Sequence, residues 1–388
     1  MMAVKKVKGV NLGSWLLMEG YILGGRNIPE HIFKRRFKSL YGQKELERFQ
    51  TFFRDNYITE ADFKNIADMQ ASVVRLPFNC RLIEPKPNRY SEKGFSYLAK
   101  AFSWAKKYNL GIILDLHAAA GAQNYDWHSD SDGRAGLWEK EAYRQRTYRL
   151  WEKLSQRFKD EPALAGYDLL NEPVLGKVPP KNLVNFYSQV IKRIRQIDKK
   201  HTIYIEGDNW AQEIDFLSGL ISENVAISIH TYLPLSYTFN FNRFSKFPGK
   251  IEGLAWDKKR IYKYLEPYYK FSLKNKVKIF VGEFGINWRG GCWGELDWLE
   301  GMLSAFESFG FEYTYWTYKA VSQACFPDGL YQYLDNSRFV QREGPEYGWE
   351  TYFKQWSKNK KAMVDFWKTE NYRPNQKIIS RLKEYFKK

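Results

Sequence analysis

The sequence predicts an α/β protein built as a single (β/α)8 TIM barrel with long loops after strands 1 and 8. Three observations predict it. Eight short β-rich runs alternate with longer amphipathic runs along a chain of 388 residues. Several of the β-rich runs (GIILDL, VAISI, IFVGEF) are apolar almost throughout, which suits strands covered on both faces. The final periodic segment is helical, so eight strand–helix units fit the right-handed crossovers of a parallel sheet. Such barrels run from about 200 to more than 400 residues as one unit. No Pro/Ser/Gly-rich linker interrupts the chain, so residues 1–388 read as one domain.

Strands are expected at Val7–Leu12, Ser72–Pro77, Gly111–Leu116, Ala165–Leu170, Thr202–Glu206, Ala226–His230, Lys278–Gly282 and Glu312–Trp316. Helical stripes lie between them. Ala61, Phe63, Ile66 and Met69 make one, and Phe95, Leu98, Phe102 and Ala105 the next, behind the cap residue Ser91. Tyr148, Trp151, Leu154 and Phe158 follow, then Leu183, Phe186, Val190 and Ile194. Ile261, Leu265 and Tyr268, then Trp298, Met302 and Phe306, continue the series, and Ile378, Leu382 and Tyr385 close it. Two connections exceed the usual length: Gly13–Thr59, with a helix expected over Gln43–Arg54, and the aromatic-rich Thr317–Pro374.

Composition bounds the function. Cys80, Cys292 and Cys325 form no Cys-x-x-Cys pair, so a zinc ribbon or disulfide framework is not expected. No GxGxxG, GxxxxGK[ST] or GxSxG occurs, which argues against nucleotide enzymes and α/β-hydrolases. The net charge of +17 comes from lysines scattered over many helices, so it reads as solvated helix faces and not a nucleic-acid surface. No membrane span or leader peptide is expected, since Glu19 interrupts the first apolar run. As written the chain reads as a cytoplasmic monomer; a trimmed leader would leave the same text.

The reactive residues sit where strands stop. Arg75 lies on the second, His117 follows the third, and Asn171, Glu172 and Pro173 follow the fourth. His230 and Tyr232 follow the sixth, Glu283 the seventh, and Trp316 ends the eighth. In a closed parallel barrel these ends share one rim. Two carboxyl groups in an aromatic cleft suit glycoside hydrolysis, one donating a proton to the leaving oxygen and one attacking the anomeric carbon. Arg75 and Tyr232 are placed to hold Glu283 ionised, while burial and a neighbouring carboxylate are expected to keep the proton on Glu172. Trp127, Trp138, Trp210, Trp288 and Trp293 are candidate sugar platforms. The loop Asp126–Arg134 fits no calcium-loop spacing and reads as a solvated glycine turn.

With these residues in order, the sequence resembles glycoside hydrolase family 5. Leu170-Asn171-Glu172-Pro173 resembles its acid/base motif, and Gly282-Glu283-Phe284-Gly285 its nucleophile motif. Arg75, His117, His230-Thr231-Tyr232 and Trp316 match its other positions. The resemblance implies a retaining β-glycosidase, with Glu172 as acid/base and Glu283 as nucleophile. It further implies that Asn171 binds the sugar 2-hydroxyl, that His117 and Trp316 form the adjacent subsite, and that His230 and Tyr232 orient the carboxylates. GVNLGSWL at Gly9–Leu16 with Glu19, and LHAAAGAQN at Leu116–Asn124, are similar to the exo-β-1,3-glucanase branch. That likeness implies Glu19 and Asn124 as ligands of a terminal sugar. Ser14, Ala118 and Ala120 depart from that branch and leave linkage and exo or endo mode open. The implied substrate is a β-linked glucan or gluco-oligosaccharide, with no cofactor or metal demanded. An endo-β-1,4-glucanase or β-mannanase, and more remotely a non-catalytic sugar-binding barrel, are the alternatives.

Overall fold

The structure is a computed structural model that describes residues 6–333, 349 and 352–388. Eight parallel strands close into a barrel: β1 Lys8–Asn11, β2 Val73–Asn79, β3 Gly111–Ala118, β4 Leu164–Asp168, β5 Thr202–Glu206, β6 Val225–His230, β7 Ile279–Phe284 and β8 Glu312–Tyr315. Each strand pairs with its sequence neighbours, and β8 closes on β1 with Lys8 opposite Tyr313. All eight expected strands are present, with ends shifted by a few residues.

Period-two alternation explains the interior. Val73, Ile113, Tyr204, Ala226 and Phe280 form a buried apolar plug, separate from the larger core beneath the helices. Two residues further along the same strands stand Arg75, Asp115, Glu206, Ser228 and Gly282. All the side chains of this second layer are buried. The apolar plug therefore carries a polar layer on its C-terminal side, and that layer carries the rim.

The helices wrap the barrel. They are α1 Glu30–Tyr57, α2 Glu60–Asp68, α3 Glu92–Lys107, α4 Glu141–Phe158, α5 Lys181–Ile197, α6 Lys258–Asn275, α7 Glu295–Phe309 and α8 Gln376–Phe386. Ser91 caps α3 as its sequence position suggests, its hydroxyl accepting the Gly94 N–H at 3.1 Å. Thr59 and Asp62 form a reciprocal capping box on α2. The helix expected over Gln43–Arg54 is the second part of α1, which breaks at Gly42 with φ +80°. No long helix separates β5 from β6; a one-turn helix, Asp208–Ala211, and a 3-10 segment, Asp215–Leu220, fill that place. The closing helix α8 packs on α7, with Arg381 paired to Glu300 at 2.6 Å.

The long segments after β1 and β8 pack on each other. Trp349 stacks on Phe33 with ring centroids 4.3 Å apart. Trp356 stands edge-on to Phe37 and Phe49, and Trp367 edge-on to Phe49 and Phe53. Part of the expected 317–374 segment, residues 334–348 and 350–351, lies outside the described residues. Among the described residues no helix is long and apolar enough to cross a membrane, and all three cysteines are free.

Candidate active site

Arg75 organises the polar layer. Its side chain is fully buried and meets four carboxylates: Asp168 at 2.8 Å, Glu283 at 2.8 Å, Asp115 at 3.1 Å and Glu206 at 3.2 Å. It also donates to Asn171 Oδ1 at 2.9 Å and Asn11 Oδ1 at 3.2 Å. One cation cannot balance four anions in low dielectric. Burial and the nearby Glu206 charge push the Asp168 carboxyl well above its ordinary value, against the pull of Arg75. Burial raises Asp115 to about 6, against the pull of Arg75. Glu283 is thus the Arg75 partner that also faces the cavity.

Above this layer the two rim carboxylates face each other. The nearest side-chain atoms of Glu172, His230 and Glu283 all lie within 4.8 Å of one another. Glu283 Oε1 accepts from Arg75, and Oε2 accepts from the Tyr232 hydroxyl at 2.7 Å. His230 Nδ1 lies 2.8 Å from Glu172 Oε1, and its Nε2 lies 3.2 Å from Glu206 Oε1. Burial pulls His230 down, but the charges of Glu206 and Glu283 and the bond to Glu172 outweigh it and hold the ring cationic. These atoms are close enough to chelate a cation, yet Arg75 and His230 already supply the counter-charge.

Local backbone sets Glu172. It adopts φ +48°, and its N–H donates to Glu206 Oε2 at 2.6 Å. Its carbonyl accepts from Asn124 Nδ2 at 2.8 Å. Asn124 is fully buried, its Oδ1 taking the Asp126 N–H, and it is absent from the cavity wall. The structure places Asn124 behind Glu172, tied to its backbone. Gln123 makes a similar tie, donating to the carbonyls of His117 and Asn171 at 2.7 Å each. The AQN run thus knits the ends of β3 and β4 together.

Glu19 does reach the cavity. Ser14, where the resembled branch has Gly, sits at φ +63°, and its hydroxyl accepts the Glu19 N–H at 2.9 Å. Glu19 is 2% exposed and its Oε1 has no partner among the described residues. Burial raises its carboxyl to about 8. His117 Nδ1 lies 2.7 Å from Asp115 Oδ2, and burial lowers the ring to about 3, so a neutral imidazole lines the cavity. Trp316 stacks on His117 with ring centroids 5.4 Å apart, and its Nε1 donates to the Tyr21 hydroxyl. Asn171 Nδ2 is also buried without a partner among the described residues.

Two expectations need correction. The 126–134 loop is not a solvated turn throughout. His128, Ser129, Asp130 and Ser131 are buried, and Asp130 accepts from Asn79 and pairs with His31 and Arg81. His128 enters the site, with Nε2 3.5 Å from Glu172 Oε2 and 3.6 Å from Asp126 Oδ2. Burial lowers the His128 ring, but Asp126 and Glu172 prevail and raise it to about 9. Nor is Glu172 inclined to hold its proton. Burial raises it, but the His230 bond and charge, then His128, outweigh burial and hold the carboxyl below the usual range. Sequence reasoning weighed the second carboxylate and missed the two imidazolium rings.

The cavity measures about 430 Å³, within the roughly 300–1,000 Å³ of small-molecule sites. Of the five candidate tryptophans, Trp127 and Trp210 line it. Trp138 is buried against Phe186. Trp288 and Trp293 lie outside the lining, the one under Lys377 and the other under Arg289. Trp210 sits in a run of three left-handed residues, Asn209, Trp210 and Ala211, with φ of 55°, 53° and 63°. Each such non-glycine residue costs roughly 1–2 kcal/mol. Its indole donates to Asp126 Oδ2 at 2.8 Å.

A closed eight-stranded barrel with two facing carboxylates at its C-terminal rim defines a glycosidase, an enzyme that hydrolyses O-glycosyl bonds. Residues 38–322 match the family description "Cellulase (glycosyl hydrolase family 5)", and the chain belongs to that family. It is similar to Endoglucanase C of Acetivibrio thermocellus, 29% identical over 310 residues that cover 71% of this chain and 88% of the relative. It is also similar to a probable glucan 1,3-beta-glucosidase A of Emericella nidulans, 30% identical over 59% of this chain and 57% of that protein. In fold it resembles the endoglucanase Cel5A of Thermotoga maritima, with a TM-score of 0.60 and 22% identity over 84% of this chain and 91% of that one.

Proposed function

We propose that the protein is a retaining β-glycoside hydrolase acting on β-linked glucan or gluco-oligosaccharides, with release from the chain end favoured. The observation that carries this reading is the approach of Glu172 and Glu283 to within 4.8 Å. Oxygens of the pair thus approach within the roughly 5–5.5 Å range of double-displacement pairs and well short of the roughly 6.5–9.5 Å that leaves room for a water.

Glu283, paired with Arg75 and oriented by Tyr232, attacks the anomeric carbon. Glu172 donates a proton to the departing oxygen, then takes one from water as the glycosyl–Glu283 ester is hydrolysed. Sugar binding keeps solvent from the Glu172–His230 pair, which favours returning the proton from the ring to the carboxyl. Asn171 Nδ2 and Glu19 Oε1, both without a partner among the described residues, suit hydroxyls of the bound sugar. Chain-end action is supported by the segments after β1 and β8, whose Tyr21, Phe326 and Pro327 wall the cavity.

Internal cleavage is the second reading, favoured by the likeness to a protein named as an endoglucanase. Product sizing over time on laminarin and cellulose oligomers separates the two. Glucose from the first minutes supports the proposal, whereas an early ladder of oligomers supports internal cleavage. Full hydrolysis of an aryl β-glucoside by Glu283→Ala overturns the assignment.

A further inference from the structure

The cavity is chemically divided. Its deep end holds Glu19, His117 and Trp316, all at most 3% exposed. Its mouth is a band of rings. Tyr125 stands edge-on to Trp210, Trp127 edge-on to Phe326, and Phe241 edge-on to both Phe326 and Phe239. Among the described residues seven large apolar side chains are strongly exposed, and Tyr125, Leu235 and Phe241 of these stand on or against this one wall, at 45%, 39% and 54% exposure. Of the polar groups at the mouth two are engaged, while the Trp127 indole N–H has no partner among the described residues. Asp126 Oδ2 takes the Trp210 indole, and the Gln212 amide donates to Asn209. A contiguous apolar patch at the door of an active site marks what the site admits.

The Trp210 part of the mouth lies on the acid side. Glu172 faces His128, His128 faces Asp126, and Asp126 is held by Trp210. The leaving group departs toward the carboxyl that protonates it. We propose that the leaving-group subsite is built for a flat aromatic aglycone, so that the protein hydrolyses β-glycosides of aromatic alcohols with the aglycone seated against Trp210, Trp127, Phe241 and Phe326. The inference rests on the glycosidase roles given above for Glu172 and Glu283. Water is consumed, the bond from the anomeric carbon to the glycosidic oxygen breaks, and the aglycone leaves as its alcohol with the proton from Glu172. The left-handed run at Asn209–Ala211 gains a purpose, since it turns Trp210 toward the mouth.

The test uses the full-length protein as Glu283→Gln, so that binding is read without turnover. Titration compares 4-methylumbelliferyl β-glucoside with cellobiose, laminaribiose and octyl β-glucoside. The aryl glucoside is expected to bind at least about tenfold more tightly than either disaccharide. Adding Phe241→Ala, an exposed site that leaves the core intact, or Trp210→Ala is expected to cut that preference by about tenfold. Equal binding of aryl glucoside and disaccharides, or an unchanged ratio in both variants, overturns the proposal. So does octyl β-glucoside matching the aryl compound, because the wall would then read apolarity and not flatness. If wild type hydrolyses no β-glucoside at all, the catalytic reading itself fails and takes this inference with it.

Discussion

Arg75 Nη1 lies 2.8 Å from Glu283 Oε1, with the guanidinium fully buried and the carboxylate almost so. The contact places a fully buried cation directly beneath the attacking group. Arg75→Met leaves Asp115, Glu206 and Glu283 without it. Breaking a buried pair of this kind costs about 3–5 kcal/mol. Arg75→Lys keeps the charge but cannot serve Asp168, Glu283 and Asn171 together. Both variants are expected to lose at least about 100-fold in kcat/KM, with Arg75→Met also lowering the midpoint of urea unfolding.

Glu172→Ala is expected to reveal its role through the leaving group. On an oligosaccharide the loss is about 10²–10⁴-fold, the usual value of general-acid help. On an aryl glucoside with an acidic phenol, which needs no proton, the first step survives and the glycosyl-enzyme accumulates. A pre-steady-state burst followed by slow turnover checks this; an equal loss on both substrates counts against the role.

Glu19 is expected to act as a protonated donor at neutral pH, because burial raises it to about 8. As pH rises through about 8 it ionises inside a site that already holds Glu172 and Glu283, and KM is expected to climb. Glu19→Gln retains a donor of the same shape. Its KM stays flat across that range, while Glu19→Ala has a raised KM throughout.

His128 links stability to pH. Its folded value of about 9 lies above the unfolded 6.5, so its stabilisation is complete below pH 6.5 and is lost as pH rises through about 9. The shift corresponds to about 3 kcal/mol at low pH. Urea unfolding at pH 6 and pH 9.5 measures it. His128→Asn is expected to be less stable at pH 6 and close to wild type at pH 9.5 in this contribution.

The glycines of the Gly282-Glu283-Phe284-Gly285 run are steric. A Cβ on Gly282 would lie 2.8 Å from His230 Nε2, and one on Gly285 would lie 2.1 Å from the Trp316 carbonyl. Gly282→Ala is expected to cost about 1–3 kcal/mol and to displace His230 from Glu172. A fall in kcat beyond the fall in melting temperature checks the second effect.

The barrel was legible because its strands are buried on both faces, so runs such as GIILDL carry an unmistakable apolar signature. Arg75, Glu172, His230 and Glu283 were legible because polar residues stood where apolar runs stopped. Asp168 and Glu206 obey the same rule and could have been read from it, since each ends a strand, whereas Asp115 lies inside β3. His128 could not. It lies among Asp, Ser and Gly residues that look solvated, and only long-range pairing of Asp130 with His31 and Arg81 folds that loop inward. The left-handed turn at Trp210 leaves no glycine signal either.

The stacking of Trp349 on Phe33, with Trp356 and Trp367 against Phe37, Phe49 and Phe53, makes two distant stretches of chain mutually dependent. A shortened protein ending after Tyr333 would keep every barrel strand yet bare a greasy helix to solvent. Anyone trading loops between this enzyme and its relatives must therefore move both stretches as a matched pair, or expect the product to clump before it can be assayed.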